Sequence, residues 1–329
     1  MARISVLGAN SFSGAVFVDA ALTAGHDVSG INRSPEGAAM FLPYKSNPRA
    51  WAYRFHKLHL VNDLDAMLGV INEFRPDYVV DFAGQGMVAE SWHQPELWYM
   101  TNLVFKVKLH DHLRKQPWLQ KYVRVSTPEV YGSTDELIRE DHPYRPSTPY
   151  AVSHAAVDMS LTAFQRNYGF PVVLTRFANF YGPGQQLYRI VPKTILVALT
   201  GKKLQLHGGG TSIRAFIHAR DVASALLLVL EKGVAGETYH FSTAEFLSIR
   251  QVVERILIQL GIDFDKTVEV AADRPGKDQA YLMDASKAAR ELGWKPRFGF
   301  DEGVAQTVSW IKGNLDAMRT LPWDYAHKS

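Results

Sequence analysis

Through the first half of the chain, short apolar runs alternate with stretches whose apolar positions recur at helical spacing. Residues 3–7, 26–31, 78–82, 122–126 and 172–177 have strand length and few polar interruptions, the pattern of strands buried on both faces. Between them, residues 14–24, 65–74, 97–115 and 150–168 place apolar side chains three and four apart and predict helices. Strands alternating with helices predict an α/β fold, with a doubly wound parallel sheet between two helical layers.

After about residue 180 the elements shorten. Gly182-Pro183-Gly184, Gly208-Gly209-Gly210 and Arg274-Pro275-Gly276 punctuate helix candidates at 191–200, 219–231, 249–260, 285–292 and 300–314. The expected division is a larger domain over residues 1–180 and a smaller α/β C-terminal substrate lobe over 181–329, with a soft boundary and interleaved segments. No internal repeat is evident.

Composition narrows the function class. A net charge of +3 is too small to argue for a nucleic-acid or membrane partner, yet it suits an anionic ligand if a few Arg side chains converge. The chain has no Cys, which excludes disulfides, thiolate nucleophiles and Cys-ligated metals. Its 12 His residues show no zinc-site spacing, and no metal is expected. A strand pattern begins almost at the first residue, and the most apolar run, 223–230, is too short to span a bilayer. A cytoplasmic protein is the expectation.

The first strand runs into Gly8-Ala9-Asn10-Ser11-Phe12-Ser13-Gly14. Glycine at a strand end permits a tight turn, and bare backbone lets a pyrophosphate approach the positive end of the following helix. This G-x-x-S-x-x-G segment, placed between strand and helix, predicts a Rossmann-type dinucleotide site. An acid at the end of the second strand would bind the adenosine ribose of NAD, whereas Arg accommodates the extra phosphate of NADP. The chain reads Gly30-Ile31-Asn32-Arg33-Ser34, without an acid, so NADP is favoured and NAD is the alternative.

Two further blocks carry chemistry. Val125-Ser126-Thr127-Pro128-Glu129-Val130-Tyr131-Gly132 lies at a strand's C-terminal end, where open α/β sheets bind ligands. Ser147-Thr148-Pro149-Tyr150-Ala151-Val152-Ser153-His154 opens a helix, with Tyr150 and His154 on one face. Together these blocks resemble the extended short-chain dehydrogenase/reductases, in the branch of nucleotide-sugar epimerases and dehydratases. The likeness continues through Arg176-Phe177-Ala178-Asn179-Phe180-Tyr181-Gly182-Pro183-Gly184, His218-Ala219-Arg220-Asp221 and Glu291-Leu292-Gly293-Trp294-Lys295-Pro296.

The resemblance implies an enzyme that oxidises a sugar at C4 and uses the 4-ketone to drive elimination, epimerisation or decarboxylation. Dehydration at C4 and C6 of a nucleoside-diphosphate hexose is the first expectation. Tyr150 is then the base, Thr127 orients the substrate and Glu129 deprotonates C5. Gly8, Asn10, Ser11, Phe12, Gly14, Asn32, Arg33, Ser34 and Ala83 fall at cofactor positions, joined by Tyr150 and His154. Ser126, Asn179, Arg189, Arg214 and Arg274 fall on the sugar-nucleotide side, where Arg grips a diphosphate bidentately. The stretch 203–206 is expected at the base. The helices at 97–115 and 150–168 match those that pair in the family's homodimers, so a homodimer is expected.

Two departures qualify the reading. His154 stands where the family carries a Lys whose charge lowers the Tyr pKa. A neutral imidazole supplies no fixed charge, and a phenol in water titrates near pH ~10. Pro128 stands where dTDP-glucose 4,6-dehydratases carry an acidic Asp, and Ser126 or Thr127 is the expected substitute. Epimerisation or decarboxylation is one alternative, and a catalytically weak NAD(P)- or ligand-sensing protein is another. On this reading, restoring Lys at 154 would strengthen a weakened enzyme.

Overall fold

A computed structural model of the chain describes residues 1–272 and 279–327. In chain order the strands begin β1 (Arg3–Leu7), β2 (Asp27–Asn32), β3 (Tyr53–Lys57), β4 (Tyr78–Asp81) and β5 (Lys121–Ser126). They continue β6 (Leu137–Ile138), β7 (Val172–Phe177), β8 (Asn179–Tyr181), β9 (Leu204–His207) and β10 (Ile213–His218). Last come β11 (Thr238–Phe241), β12 (Phe246–Ser248), β13 (Val268–Ala271) and β14 (Leu282–Met283).

Seven of these form a parallel sheet in the order β11-β7-β5-β4-β1-β2-β3. Strand order reverses between β1 and β4, which opens a crevice at their C-terminal ends. Alternate side chains of each strand serve opposite layers. Val6, Val80, Val123 and Val173 pack with Phe17, Val222, Leu226 and Val229 on one face. Val79, Tyr122, Val172 and Leu174 pack with Ile71, Leu109, Leu161 and Phe170 on the other. Each such aliphatic side chain contributes about 1.5–3 kcal/mol relative to exposure.

The first layer consists of α1 (Phe12–Thr23) and a helix from the second half of the chain. The other face carries α2 (Leu64–Phe74), α3 (Pro95–Tyr99), α4 (Phe105–Leu113) and α5 (Pro149–Tyr168). The sequence pattern predicts one helix over 97–115, but α3 passes through a π-helical turn, Met100–Val104, before α4 begins. That turn carries Asn102, which is completely buried. Strands β3 and β11 were not anticipated. Both are edge strands of five and four residues, with His in each run interrupting the apolar pattern.

Beyond α6 (Ile190–Thr200), the chain returns to the large sheet with α7 (Ala219–Lys232) and β11. Segments of the second half therefore complete the first layer and the sheet edge. The remainder forms a smaller lobe in which β10 joins β8 and β12, β9 pairs with β13, and α6 packs on α8 (Ile249–Leu260). Strands β14 and β6 tie that lobe to the loop after β5. No helix among the described residues is long and apolar enough to cross a membrane.

One buried pair fastens α5 to the sheet. Arg176 of β7 donates to Asp158 of α5 at 2.9 Å and to the Tyr131 hydroxyl at 2.6 Å, and also bonds Tyr144. Asp221 makes a separate set of bonds, to Arg297 and to the Phe298 N–H. Removing one partner of a buried pair strands the other charge. Asp158→Ala is expected to lower unfolding stability by about 3–5 kcal/mol, read from denaturant midpoints.

Candidate active site

Gly8 ends β1 with φ +79°, and a Cβ there would lie 2.9 Å from the Ala83 nitrogen. Only glycine lets the two strand ends approach this closely. Ser11 caps α1 by accepting the Gly14 N–H at 3.1 Å, and a Cβ on Gly14 would drive into the Gly8 carbonyl. The result is a bare-backbone cradle at a helix N-terminus, which fits the pyrophosphate of a dinucleotide. Asn10 and Asn32 both donate to the Ser34 carbonyl, at 3.4 and 3.2 Å, and so join the ends of β1 and β2. Phe12 is buried. Arg33 is half-buried near Tyr325, and burial pulls its pKa below the ordinary value.

On the other side of the crevice, Thr127 follows β5 and caps the short turn Pro128–Tyr131 by accepting the Glu129 N–H at 3.3 Å. Its hydroxyl also bonds the Tyr150 phenol. Tyr150 occupies the first turn of α5, which Thr148 caps and Pro149 opens. Burial and then the Glu129 carboxylate raise the Tyr150 pKa, while Thr127 and Arg189 act to lower it. The His154 ring lies 4.6 Å from the Tyr150 ring, one turn along α5. Tyr150, Thr127, Glu129 and His154 therefore converge.

The substrate-side residues divide. Asn179 at the start of β8 accepts the Tyr281 hydroxyl at 3.0 Å, and the Arg214 guanidinium stacks 4.2 Å above the Tyr281 ring. Arg214 also donates to the Ile213 and Gln279 carbonyls. Tyr281 and Arg189 are both close enough to affect Tyr150 electrostatically. Arg189 is exposed and caps α6. Ser126 turns away from this group, because its hydroxyl donates to Asp158 in the core at 2.7 Å. The stretch expected at the base lies largely in β9, whose one edge pairs with β13. Arg274 lies outside the described residues. Two surface cavities of about 370 Å³ share none of these side chains.

Comparison with known proteins places the chain in a family. A family model described as GDP-mannose 4,6 dehydratase matches residues 6–307. This chain belongs to the GDP-mannose 4,6 dehydratase family. A dTDP-glucose 4,6-dehydratase of Xanthomonas campestris pv. campestris is 35% identical over 277 residues, covering 77% of this chain and 79% of the relative. A trifunctional UDP-glucose 4,6-dehydratase, epimerase and reductase of Arabidopsis thaliana is 33% identical, but the match spans only 41% of that longer protein. A solved dTDP-glucose 4,6-dehydratase from Streptomyces venezuelae, with NAD bound, superposes with TM-score 0.88. It is 32% identical, with 96% of this chain and 98% of that one covered. A UDP-glucose 4-epimerase of Thermus thermophilus with NAD reaches 0.85 at 28% identity, covering 94% of this chain and 99% of the other.

In this member of the GDP-mannose 4,6 dehydratase family, several site-forming residues escaped the sequence reading. Arg124 of β5 donates to His154 Nδ1 at 3.0 Å and lies 3.3 Å from Asp81, which also binds Lys106 and accepts the Tyr122 hydroxyl at 2.6 Å. Arg124 and Lys106 hold the Asp81 carboxyl below its usual range, whereas burial lowers the Lys106 pKa. Burial, Arg124 and Lys106 together depress the His154 pKa, leaving the imidazole neutral near pH 7. The only sequence signal for this cluster was charge inside otherwise apolar strand and helix faces.

The backbone of Tyr150 is fixed from two sides. Its N–H donates to Ser91 at 3.2 Å, and its carbonyl accepts from Ser153 at 2.7 Å. Ser153 accepts from Asn102, which also binds both backbone groups of Gln85 at 2.7 and 3.1 Å. Asn102→Ala removes the bonds that Asn102 makes to the buried N–H and carbonyl groups of Gln85. The expected cost is about 1–3 kcal/mol for each group, with weakened turnover, measured by denaturation and steady-state kinetics.

Proposed function

We propose that this chain dehydrates a nucleoside-diphosphate hexose to its 4-keto-6-deoxy product, with a nicotinamide dinucleotide that stays bound through turnover. The convergence of Tyr150, Thr127 and Glu129 across the crevice from the Gly8 cradle carries this reading. Tyr150 takes the proton of the sugar C4 hydroxyl, which Thr127 orients through the hydroxyl that also bonds Tyr150. A nicotinamide dinucleotide held at the Gly8 cradle would supply the hydride acceptor for C4 and the hydride donor for C6. Glu129 takes the C5 proton that the 4-ketone acidifies. Pro128 cannot donate a proton and Ser126 is engaged by Asp158, so Glu129 passes the proton it has just gained to the departing C6 hydroxyl, which leaves as water. The proton that Tyr150 gained from the C4 hydroxyl goes to C5 as hydride arrives at C6.

Asn179, Arg214 and Arg189, with the sequence-derived Arg274, are the proposed ligands of the substrate diphosphate, and Tyr281 joins them by position. For the cofactor, the solved relatives hold NAD. The end of β2 lacks an acid here and carries Arg33 and Ser34, which supports NADP in this chain. A homodimer is proposed through the faces of α3–α4 and α5. Met100, Val104, Val152 and Met159 leave 40%, 39%, 38% and 62% of their surfaces exposed there.

Mass spectrometry of a panel of nucleotide sugars tests the reaction. Loss of one water from one substrate, without net cofactor reduction, is expected. An isomer of unchanged mass would instead establish epimerisation, which the missing acid at Pro128 favours. Tyr150→Phe is expected to reduce turnover by about 10²–10⁴-fold while retaining cofactor, and unchanged turnover would remove Tyr150 from the mechanism. Fluorescence titration of the apo protein is expected to give tighter binding of NADP than NAD, with Arg33→Ala erasing the preference. Equal affinities in the unaltered protein would refute the NADP assignment.

A further inference from the structure

The helix face below Tyr150 holds a charged group that the proposed reaction does not use. Arg124 reaches from the middle of β5 to His154 Nδ1 at 3.0 Å, while its other terminal nitrogen lies 3.3 Å from Asp81 and 3.4 Å from the Ala83 carbonyl. A guanidinium has N–H donors and no acceptor, so Nδ1 must carry the lone pair and Nε2 the proton. Arg124, Asp81 and Lys106 are all buried, and two cations against one carboxylate leave an excess charge of one. That excess lies directly behind the imidazole whose ring centre is 4.6 Å from that of Tyr150, tilted by 52°.

We propose that Arg124 is a positioning residue that supplies the fixed positive charge of this active site from behind His154. It also holds His154 as an Nε2–H donor toward the nicotinamide ribose. The inference rests on Tyr150 being the catalytic base.

Arg124 is anchored on the sheet, where Asp81 and Lys106 set its orientation, and its charge reaches Tyr150 across the ring. Tyr150 is close enough to act on the Arg124 guanidinium and raise its pKa. Asp81, Asp158 and Tyr122 face Arg124 from the neighbouring elements, with Lys106 on the far side of Asp81. Glu129, Thr127, Tyr281, Arg189 and His154 face Tyr150. Among these, Arg124 and Arg189 are the permanent cations. Arg189 acts on Tyr150 from an exposed, solvent-screened position, whereas Arg124 is buried, where a charge is screened far less. This reverses the expectation for Lys at position 154. A second cation beside the Arg124 guanidinium would be repelled, and His154→Lys alone should reduce activity.

The first test needs no turnover. In the apo protein with ¹⁵N-labelled histidine, the His154 signal, assigned by its loss in His154→Asn, should report Nε2–H and an unprotonated Nδ1 from pH 6 to 8. A proton on Nδ1, or an imidazolium at pH 7, would overturn the proposal whether or not Tyr150 is the base. The second test follows the pH profile of kcat. Arg124→Gln should move the limb assigned to Tyr150 upward by about one pH unit and cut kcat at pH 7 by about tenfold. Arg124→Lys should recover most of that loss, and Arg124→Gln combined with His154→Lys should exceed either single variant. A folded Arg124→Gln protein with an unshifted profile would also overturn it. If that variant does not fold, the tautomer measurement decides.

Discussion

Asp81 has no access to water, and the reactive end of the sheet is organised around it. A lone buried carboxylate is strongly disfavoured, and this one persists because Lys106, Arg124, the Tyr122 hydroxyl and the Ala83 N–H surround it. The four partners come from three pieces of the site. Lys106 comes from the helix after the π-turn, Tyr122 and Arg124 from β5, and Ala83 from the loop against Gly8. Satisfying one carboxylate therefore sets the relative positions of the cradle, the central strand and His154.

The same economy of contacts governs α5. Its middle is locked by Asp158 to Arg176 and Ser126, and its first turn by Ser91, Ser153 and Asn102. A helix held by buried bonds at its first turn and its middle cannot slide, which keeps the Tyr150 hydroxyl beside Thr127. The π-turn at Met100–Val104 belongs to this arrangement, because it carries the Asn102 that joins the Gln85 backbone to Ser153.

Much of the fold was legible because parallel strands buried on both faces write continuous apolar runs. Five strands of the large sheet and the helices between them follow directly from that pattern. The edge strands β3 and β11 did not, since short edge segments interrupted by His carry little period. At the site, the Gly8 loop, Thr127, Glu129 and Tyr150 were legible from residue type and order. The bond from Ser126 to Asp158 was not legible, because alternation along a strand end does not say which hydroxyl meets a buried carboxylate. Tyr281 was missed because it lies far along the chain from Asn179 and Arg214, the residues it joins.

By itself, the order of residues determined an α/β chain with a dinucleotide loop, a Tyr-bearing helix and the family to which these blocks belong. Those features are local, written within one turn, strand or helix, where spacing alone sets geometry. Only the tertiary structure decided what replaces a missing charge at His154. Asp81, Lys106, Arg124 and His154 come from two strands and two helices, and nothing in their spacing along the chain brings them together. Burial joins them, because a charge removed from water must find its partners wherever the fold has placed them.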